Sequence, residues 1–359
     1  MAAQLLTQDT FGNMNFLNNG TNKLLNPLID KAIENTKSIT EKVVELNEIK
    51  NPLIKSNILM IIKYANKHSE LFSEFKTNYK ELFNIEGNII RLKYSYNKYI
   101  NDFFDIIYKN SELAVNYQKI LNDKGNTDFS EALLRIGGIN GFNHIDYLNI
   151  HNDLGKGIYV FYNILNKVFK DISEGNTSGT ISINVEVKDI ENENFFKIIK
   201  TLKEKYNIDL SKQKIIFEIL ENEKLPNTQE FKEKIVKLKN HGFDIALDDI
   251  LSEKVTLEDV IKNLNYAGNN LDMIKIDGKM LQSFYSIYKT AYSIFGKGFL
   301  ELKQIFSKIS NRGVKIVAEW IEDMDMLHFA KNILGIKYFQ GFFSNKEENI
   351  KILQANSQI

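Results

Sequence analysis

Three short apolar runs in the C-terminal half constrain this chain more than any other feature. They are Lys214–Glu221 (KIIFEILE), Phe243–Asp249 (FDIALDD) and Asp272–Asp277 (DMIKID), and each ends abruptly in charge. Runs of this length, rich in β-branched residues, read as strands buried on both faces, the habit of parallel sheets. In a (β/α)8 barrel the C-terminal ends of such strands open onto one face. Glu218, Asp248, Asp249 and Lys275 are therefore expected to collect in one place. Carboxylates gathered like this repel one another unless a divalent cation holds them.

The rest of the chain supports that expectation. From Ser111 onward, short apolar runs alternate with amphipathic stretches. Strands are expected at Leu113–Ile120, Phe129–Ile136, Thr180–Val185, 214–219, 243–248, 272–276, 314–319 and 336–340. Helices are expected at 158–171, 191–206, 228–240, 256–266, 279–311 and 323–333. Repeated β-then-α alternation is the pattern of a parallel barrel or a doubly wound sheet.

Before Ser111 the texture differs. Residues 1–20 are polar and Asn-rich, a loose lead-in. Leu25, Ile29, Ala32, Thr36, Ile39, Val43 and Leu46 follow the four-and-three spacing of a bundle or coiled-coil seam. A second helical pattern runs from Leu53 to Phe83, and a third from Glu86 to Tyr108. Residues 21–110 thus read as a helical bundle serving dimerisation or regulation. Its seam has to be buried, on the next two helices or on a second copy. His68 stands alone there and reads as a packing or surface residue.

Composition narrows the function classes. The 46 basic residues balance 46 acidic ones, so no overall field recruits nucleic acid or a membrane. With no cysteine, disulfides, thiolate metal sites and a cysteine nucleophile are excluded. The N-terminus lacks the basic start and apolar core of a signal peptide. The most apolar stretch, Leu53–Tyr64, carries lysines and is far shorter than the ~20 residues of a membrane span. A cytoplasmic protein is expected.

The strand ends carry the chemistry. Asn184, Glu218, Asp248 with Asp249, Lys275, Glu319 and Gln340 end successive strands, and Glu131 lies within the second. Hard oxygen donors of this kind suit Mg2+ or Mn2+ rather than zinc. Adjacent aspartates can serve two ions about 4 Å apart, an arrangement for phosphodiester hydrolysis. A lysine beside them orients or activates the attacking water. Any one strand-end Asp is more often a helix cap; the whole set is not explained that way.

At these residues the chain from about Leu113 to its end resembles the EAL domain family, the cyclic di-GMP phosphodiesterases. The motif of that name stands as Glu131-Ala132-Leu133, followed by Leu134-Arg135. Tyr117-Gln118-Lys119-Ile120 resembles the family's YQPI, with Lys in place of Pro. Asn184 in SINV, Glu218 and Glu221 in FEILE, Asp248-Asp249, Lys275-Ile276-Asp277, Ala318-Glu319 and Gln340-Gly341 match further motifs in the family's order.

The resemblance implies roles. Glu131, Asn184, Glu218 and Asp248 would ligate one ion, Asp248 and Asp249 a second, with one or two Mg2+ or Mn2+ bound in all. Lys275 would hold or activate the water, and Glu319 would support the metal site. Gln340 would meet substrate or water, Gln118 and Arg135 the dinucleotide. Glu221 would steady the loop after Asp249. The implied partners are cyclic di-GMP and a second copy of the chain.

Three departures stand out. Asp249 is followed by Ile250-Leu251-Ser252-Glu253-Lys254-Val255, where the family has a glycine-rich loop. Trp320, the only tryptophan, stands at a glycine position after Glu319. An insertion falls around Tyr285–Phe299, and the separation from Asp249 to Lys275 is longer than usual. Two readings follow: a working phosphodiesterase, or a receptor or scaffold whose site binds without turnover.

Overall fold

A computed structural model describes residues 42–45, 52–83, 89–92, 96–138, 141–220, 226, 228–251 and 270–341. They divide into two compact units. One holds the residues up to Ala114 together with Leu134–Val160, the other Val115–Leu133 and the chain from Phe161 onward.

The first unit is helical with a two-stranded ribbon. Helices α1 (Pro52–Lys67), α2 (Ser73–Asn78) and α3 (Tyr96–Asn110) surround stacked and edge-on aromatic rings. Phe72 and Phe103 stack at 4.3 Å, Phe75 meets Phe103 edge-on at 5.5 Å, and Tyr79 meets Tyr99 at 5.0 Å.

Two helical expectations are corrected here. Lys42–Glu45 (β1) and Ile89–Leu92 (β2) pair antiparallel, so Val43 belongs to a strand rather than a heptad seam, and the third helix begins at Tyr96. Short runs rich in β-branched residues satisfy a two-residue period as readily as a helical stripe. The long second helix is broken after Lys67. The rest of the seam, Leu25 to Ile39 and Leu46, lies outside the described residues.

Sequence reading did not anticipate α4 (His144–Asp153). Asn143 accepts hydrogen bonds from the Ile145 and Asp146 backbone N–H groups, and Asp146 accepts from that of Asn143, a reciprocal N-terminal cap. Lys67 Nζ reaches Asp146 at 2.6 Å, and Tyr64 donates to Asp153 at 2.5 Å.

The second unit is built on a closed eight-stranded barrel, which resolves the choice between barrel and open sheet. Its strands are β3 (Glu112–Asn122), β4 (Thr127–Gly137), β5 (Thr180–Val185), β6 (Ile215–Ile219), β7 (Asp244–Ile250), β8 (Met273–Ile276), β9 (Lys315–Ala318) and β10 (Tyr338–Gln340). They close in the order β10-β3-β4-β5-β6-β7-β8-β9. One strand departs from the parallel expectation: β3 pairs antiparallel with β10, because a tight turn rather than a helix joins it to β4.

Strand alternation sorts the side chains. Outward residues meet helices, as Phe217 does against Phe161 and Phe195, with centroids 5.8 and 6.0 Å away, while Phe243, just before β7, lies 4.8 Å from it. Inward, Ile120, Phe129, Ile216, Ala246, Met273 and Val317 fill the barrel with Tyr338 packed against them. The ammonium of Lys315 lies over the rings of Phe129 and Tyr338 at 5.1 and 5.7 Å.

The helices α5 (Gly157–Ser173), α6 (Val187–Glu191), α7 (Phe195–Lys205), α8 (Gln229–Asn240), α9 (Gly278–Ser310) and α10 (Met324–His328) connect the strands, and a π-helical turn, Phe329–Ile333, follows α10. The 33-residue α9 carries the insertion and bends at Ala291 (φ −141°). Eleven residues along a straight helix would put Tyr288 and Phe299 about 16 Å apart; here their rings are 6.1 Å apart, and both pack on Phe329.

Candidate functional site

The barrel interior changes character one step above its apolar layer. Two residues on along each parallel strand, where alternation again points a side chain inward, stand Glu131 after Phe129, Glu218 after Ile216, Asp248 after Ala246, Lys275 after Met273, Glu319 after Val317 and Gln340 after Tyr338. Asn184 follows buried Ser182 in the same way. In antiparallel β3 the order reverses, so Gln118 precedes Ile120.

Lys275 is the hub. Its Nζ lies 3.0 Å from Glu131, 3.1 Å from Glu218, 3.2 Å from Asp248 and 2.7 Å from Glu319. All five side chains are buried. Asn184 Nδ2 and Gln340 Nε2 donate to Glu131 at 2.7 and 2.6 Å, and Gln340 Nε2 reaches Gln118 Oε1 at 3.3 Å.

The paired aspartates need a distortion to act together, since neighbours in a strand point apart. Opposite β8, Leu247 pairs with Ile274 but Ile250 with Ile276, so β7 carries one extra residue. Asp249 takes the left-handed conformation there (φ +48°). Oxygens of Asp248, Asp249 and Glu319 consequently lie within 4.8 Å of one another.

Burial opposes charge on every group here, and each responds according to its neighbours. For Glu131 burial is outweighed by the Lys275 charge and by hydrogen bonds from Gln340, Lys275 and Asn184, so its carboxyl falls below the usual range. Burial holds Glu218 well above its usual value despite Lys275, with Glu131 and Asp248 adding to the rise. Glu319 is pushed up to about 8 by burial, against the pull of Lys275 and with Asp248 adding. Asp249 rises to about 6 through burial and then the charges of Asp248 and Asp277. Burial would lower Lys275, but Asp248, Glu131, Glu218 and Glu319 drive it well above its usual value.

The donor set fits a hard divalent cation. Four carboxylates face one ammonium. Asn184 Oδ1 and Gln340 Oε1 are buried without a hydrogen-bond donor, and each can only accept. Acceptor oxygens left open in a buried acidic mouth are what a cation with oxygen ligands satisfies.

Gln118, Glu131, Asn184, Glu218, Asp248, Asp249, Lys275, Glu319 and Gln340 are thus brought together in one unit. Arg135 lies on β4 four residues beyond Glu131, where its guanidinium donates to the Leu134 carbonyl at 2.8 Å. Glu221 and the stretch from Ser252 to Glu258 lie outside the described residues. A positioning group that sequence reading missed is Gly278. A Cβ there would fall 2.1 Å from Trp320 Cγ, so the ring occupies the space a side chain would need. The signal was the glycine directly after the Lys275-Ile276-Asp277 motif.

Comparison with known proteins agrees with this fold. The EAL domain model matches residues 101–347. Among solved structures, the chain is similar to the PaMucR phosphodiesterase in its c-di-GMP complex, at 16% identity, 69% of this chain, 96% of that chain and TM-score 0.55. It is also similar to the Xanthomonas citri FimX EAL domain in complex with c-diGMP (13% identity, 69% and 92% covered, TM-score 0.55). The cAMP-bound EAL enzyme Bd1971 gives 18% identity, 85% and 76% covered, and TM-score 0.55. At these identities the likeness is one of fold. No curated protein sequence matches the chain. With the family's model spanning most of its length and the motif residues converging at one barrel mouth, the chain belongs to the EAL domain family.

Proposed function

We propose that the barrel hydrolyses one phosphodiester bond of cyclic di-GMP to give linear 5′-pGpG, with one or two Mg2+ or Mn2+ ions as cofactor. The observation that carries this reading is the single inward layer of acids, amides and one lysine around Lys275 Nζ, with buried acceptor oxygens left open.

Glu131, Asn184, Glu218, Asp248 and Asp249 would hold the metal, which when bound would supply Lewis-acid polarisation of the phosphodiester and of the attacking water. Lys275 stays protonated, because the surrounding carboxylates raise it well above its usual value. It therefore cannot take a proton from water. Its part is to donate hydrogen bonds, orienting the acids and the attacking oxygen. Glu319, beside Asp248 and Asp249 and paired with Lys275 at 2.7 Å, supports the metal site. The water oxygen bonds to phosphorus, the P–O3′ bond breaks, and a proton passes to the leaving 3′ oxygen. Gln340 orients Glu131 and, with Gln118, meets the substrate; Arg135 contacts a phosphate, and Glu221 steadies the loop after Asp249.

Residues 21–110 act as the regulatory or dimerising segment of a cytoplasmic homodimer, whose particle mass by light scattering is expected at twice the chain mass. The decisive experiment incubates the protein with cyclic di-GMP and Mn2+ and follows the linear product. A receptor reading is favoured by one observation, the replacement of the glycine-rich loop by Ile250-Leu251-Ser252-Glu253, in which Leu251 is buried at φ +62°. Nucleotide bound and recovered intact would establish that reading instead.

A further inference from the structure

Trp320 combines features that filling space does not require. It follows Glu319 directly and adopts φ +53°, a conformation open to glycine and sterically costly for a bulky side chain. The turn that imposes this is pinned from both sides. The Ile321 N–H donates to the Gln340 carbonyl at 3.0 Å, and a Cβ on Gly341 would fall 2.4 Å from the Ile321 nitrogen.

The ring is also seated. A Cβ on Gly278 would meet Trp320 Cγ at 2.1 Å and Cδ2 at 2.5 Å. Gly278 opens helix α9 directly after its cap, Asp277, whose side chain accepts from the Met280 N–H at 2.8 Å. Its φ is not left-handed, so its missing side chain serves the indole rather than the backbone. Yet with all this support the ring remains 48% exposed. An aromatic placed at a steric cost, held on a glycine seat and left open is arranged to receive something flat. The next residue back supplies one of the three carboxylates gathered within 4.8 Å.

We propose that Trp320 is a stacking platform for a purine base of the bound dinucleotide, acting as a positioning and specificity residue. This rests on the reading that the mouth binds cyclic di-GMP. Stacking tolerates any base in principle but is strongest for the larger purine face.

Because Trp320 is the only tryptophan, its emission reports on this position alone. The test mixes the full chain rapidly with cyclic di-GMP or cyclic di-UMP in Mn2+ and reads fluorescence before turnover, with equilibrium dialysis giving affinity in parallel. Cyclic di-GMP is expected to quench the emission saturably, and cyclic di-UMP to do so far less. Trp320→Leu should weaken cyclic di-GMP binding about tenfold or more, and Trp320→Phe should restore most of it. Trp320→Gly, which suits the left-handed turn, guards against a folding artefact and should weaken binding as Trp320→Leu does. Unchanged emission on binding, with Trp320→Leu and Trp320→Gly binding as tightly as the parent, would overturn the platform while leaving the functional reading standing. Failure of the unaltered chain to bind cyclic di-GMP in dialysis would overturn both.

Discussion

Two buried polar clusters, one around His151 and one around Lys275, show how differently a protein can treat groups removed from water. In the helical unit the fully buried His151 directs Nδ1–H to the Tyr147 carbonyl at 2.7 Å and accepts from Tyr108 Oη at Nε2, 3.0 Å away. Burial drives its pKa down to about 3, so the ring stays neutral with both nitrogens partnered. Such a cluster is complete and holds a fold together. At the barrel mouth the count does not close: like charges crowd one ammonium and acceptor oxygens face no donor. Completeness marks structure, and a consistent deficit of one kind marks a ligand. Here the deficit is of positive charge.

The sharpest way to break this contrast is Lys275→Met. Removing one partner of a buried ionic cluster costs about 3–5 kcal/mol. The variant should unfold far more easily than the parent in chelator and regain much of the loss in Mn2+, measured by urea titration in both. Equal stability in chelator would mean that the acids do not need the lysine's charge.

Next in size are Glu131→Ala and Asp248→Ala, which remove carboxylates above the apolar layer. Each should lower cyclic di-GMP hydrolysis by ~100-fold or more while leaving far-UV circular dichroism unchanged. Parent-like turnover in both would remove the mouth from the chemistry.

A smaller effect belongs to the complete cluster. The unfolded chain protonates His151 near 6.5 and the folded chain only near 3, so stability is lost as pH falls from about 6.5 toward 3. The slope is about 1.4 kcal/mol per pH unit for this one proton. Urea midpoints at pH 7 and pH 5 should show the loss, and His151→Gln should lack that share of it. An identical slope in the variant would mean that other groups carry the acid sensitivity.

Much of this was legible from sequence because strand alternation is unforgiving. A charged residue ending an apolar run in a barrel has one sheltered place to point, and Glu218, Asp248, Lys275 and Glu319 all took it. The surroundings of Lys275 were only half legible: the sequence placed it among acids, and the structure adds that four carboxylates lie within 3.2 Å of its ammonium. Val43, Ile89 and Leu92 misled because four-residue strands and helical stripes share spacings. The antiparallel β3 was legible but passed over: the Asn122–Asn126 link is too short for a parallel crossover, and the β-then-α alternation of the rest of the chain outweighed it. His151 left no signal at all; its partners, Tyr108 and Tyr147, are distant from it or unremarkable in sequence.

The two-residue offset between the apolar layer and the acids has a consequence for how the chain reaches its native state. A slip of one position in any parallel strand would turn Glu218 or Lys275 out among the helices and bring a bulky Ile or Phe into the mouth. The residues that give the mouth its chemistry therefore also penalise misaligned strands, because a slipped register would bury charge among apolar side chains. Changes that make the mouth apolar should accordingly reduce that penalty, and their cost would appear as slow or heterogeneous refolding as well as in the activity of the finished protein.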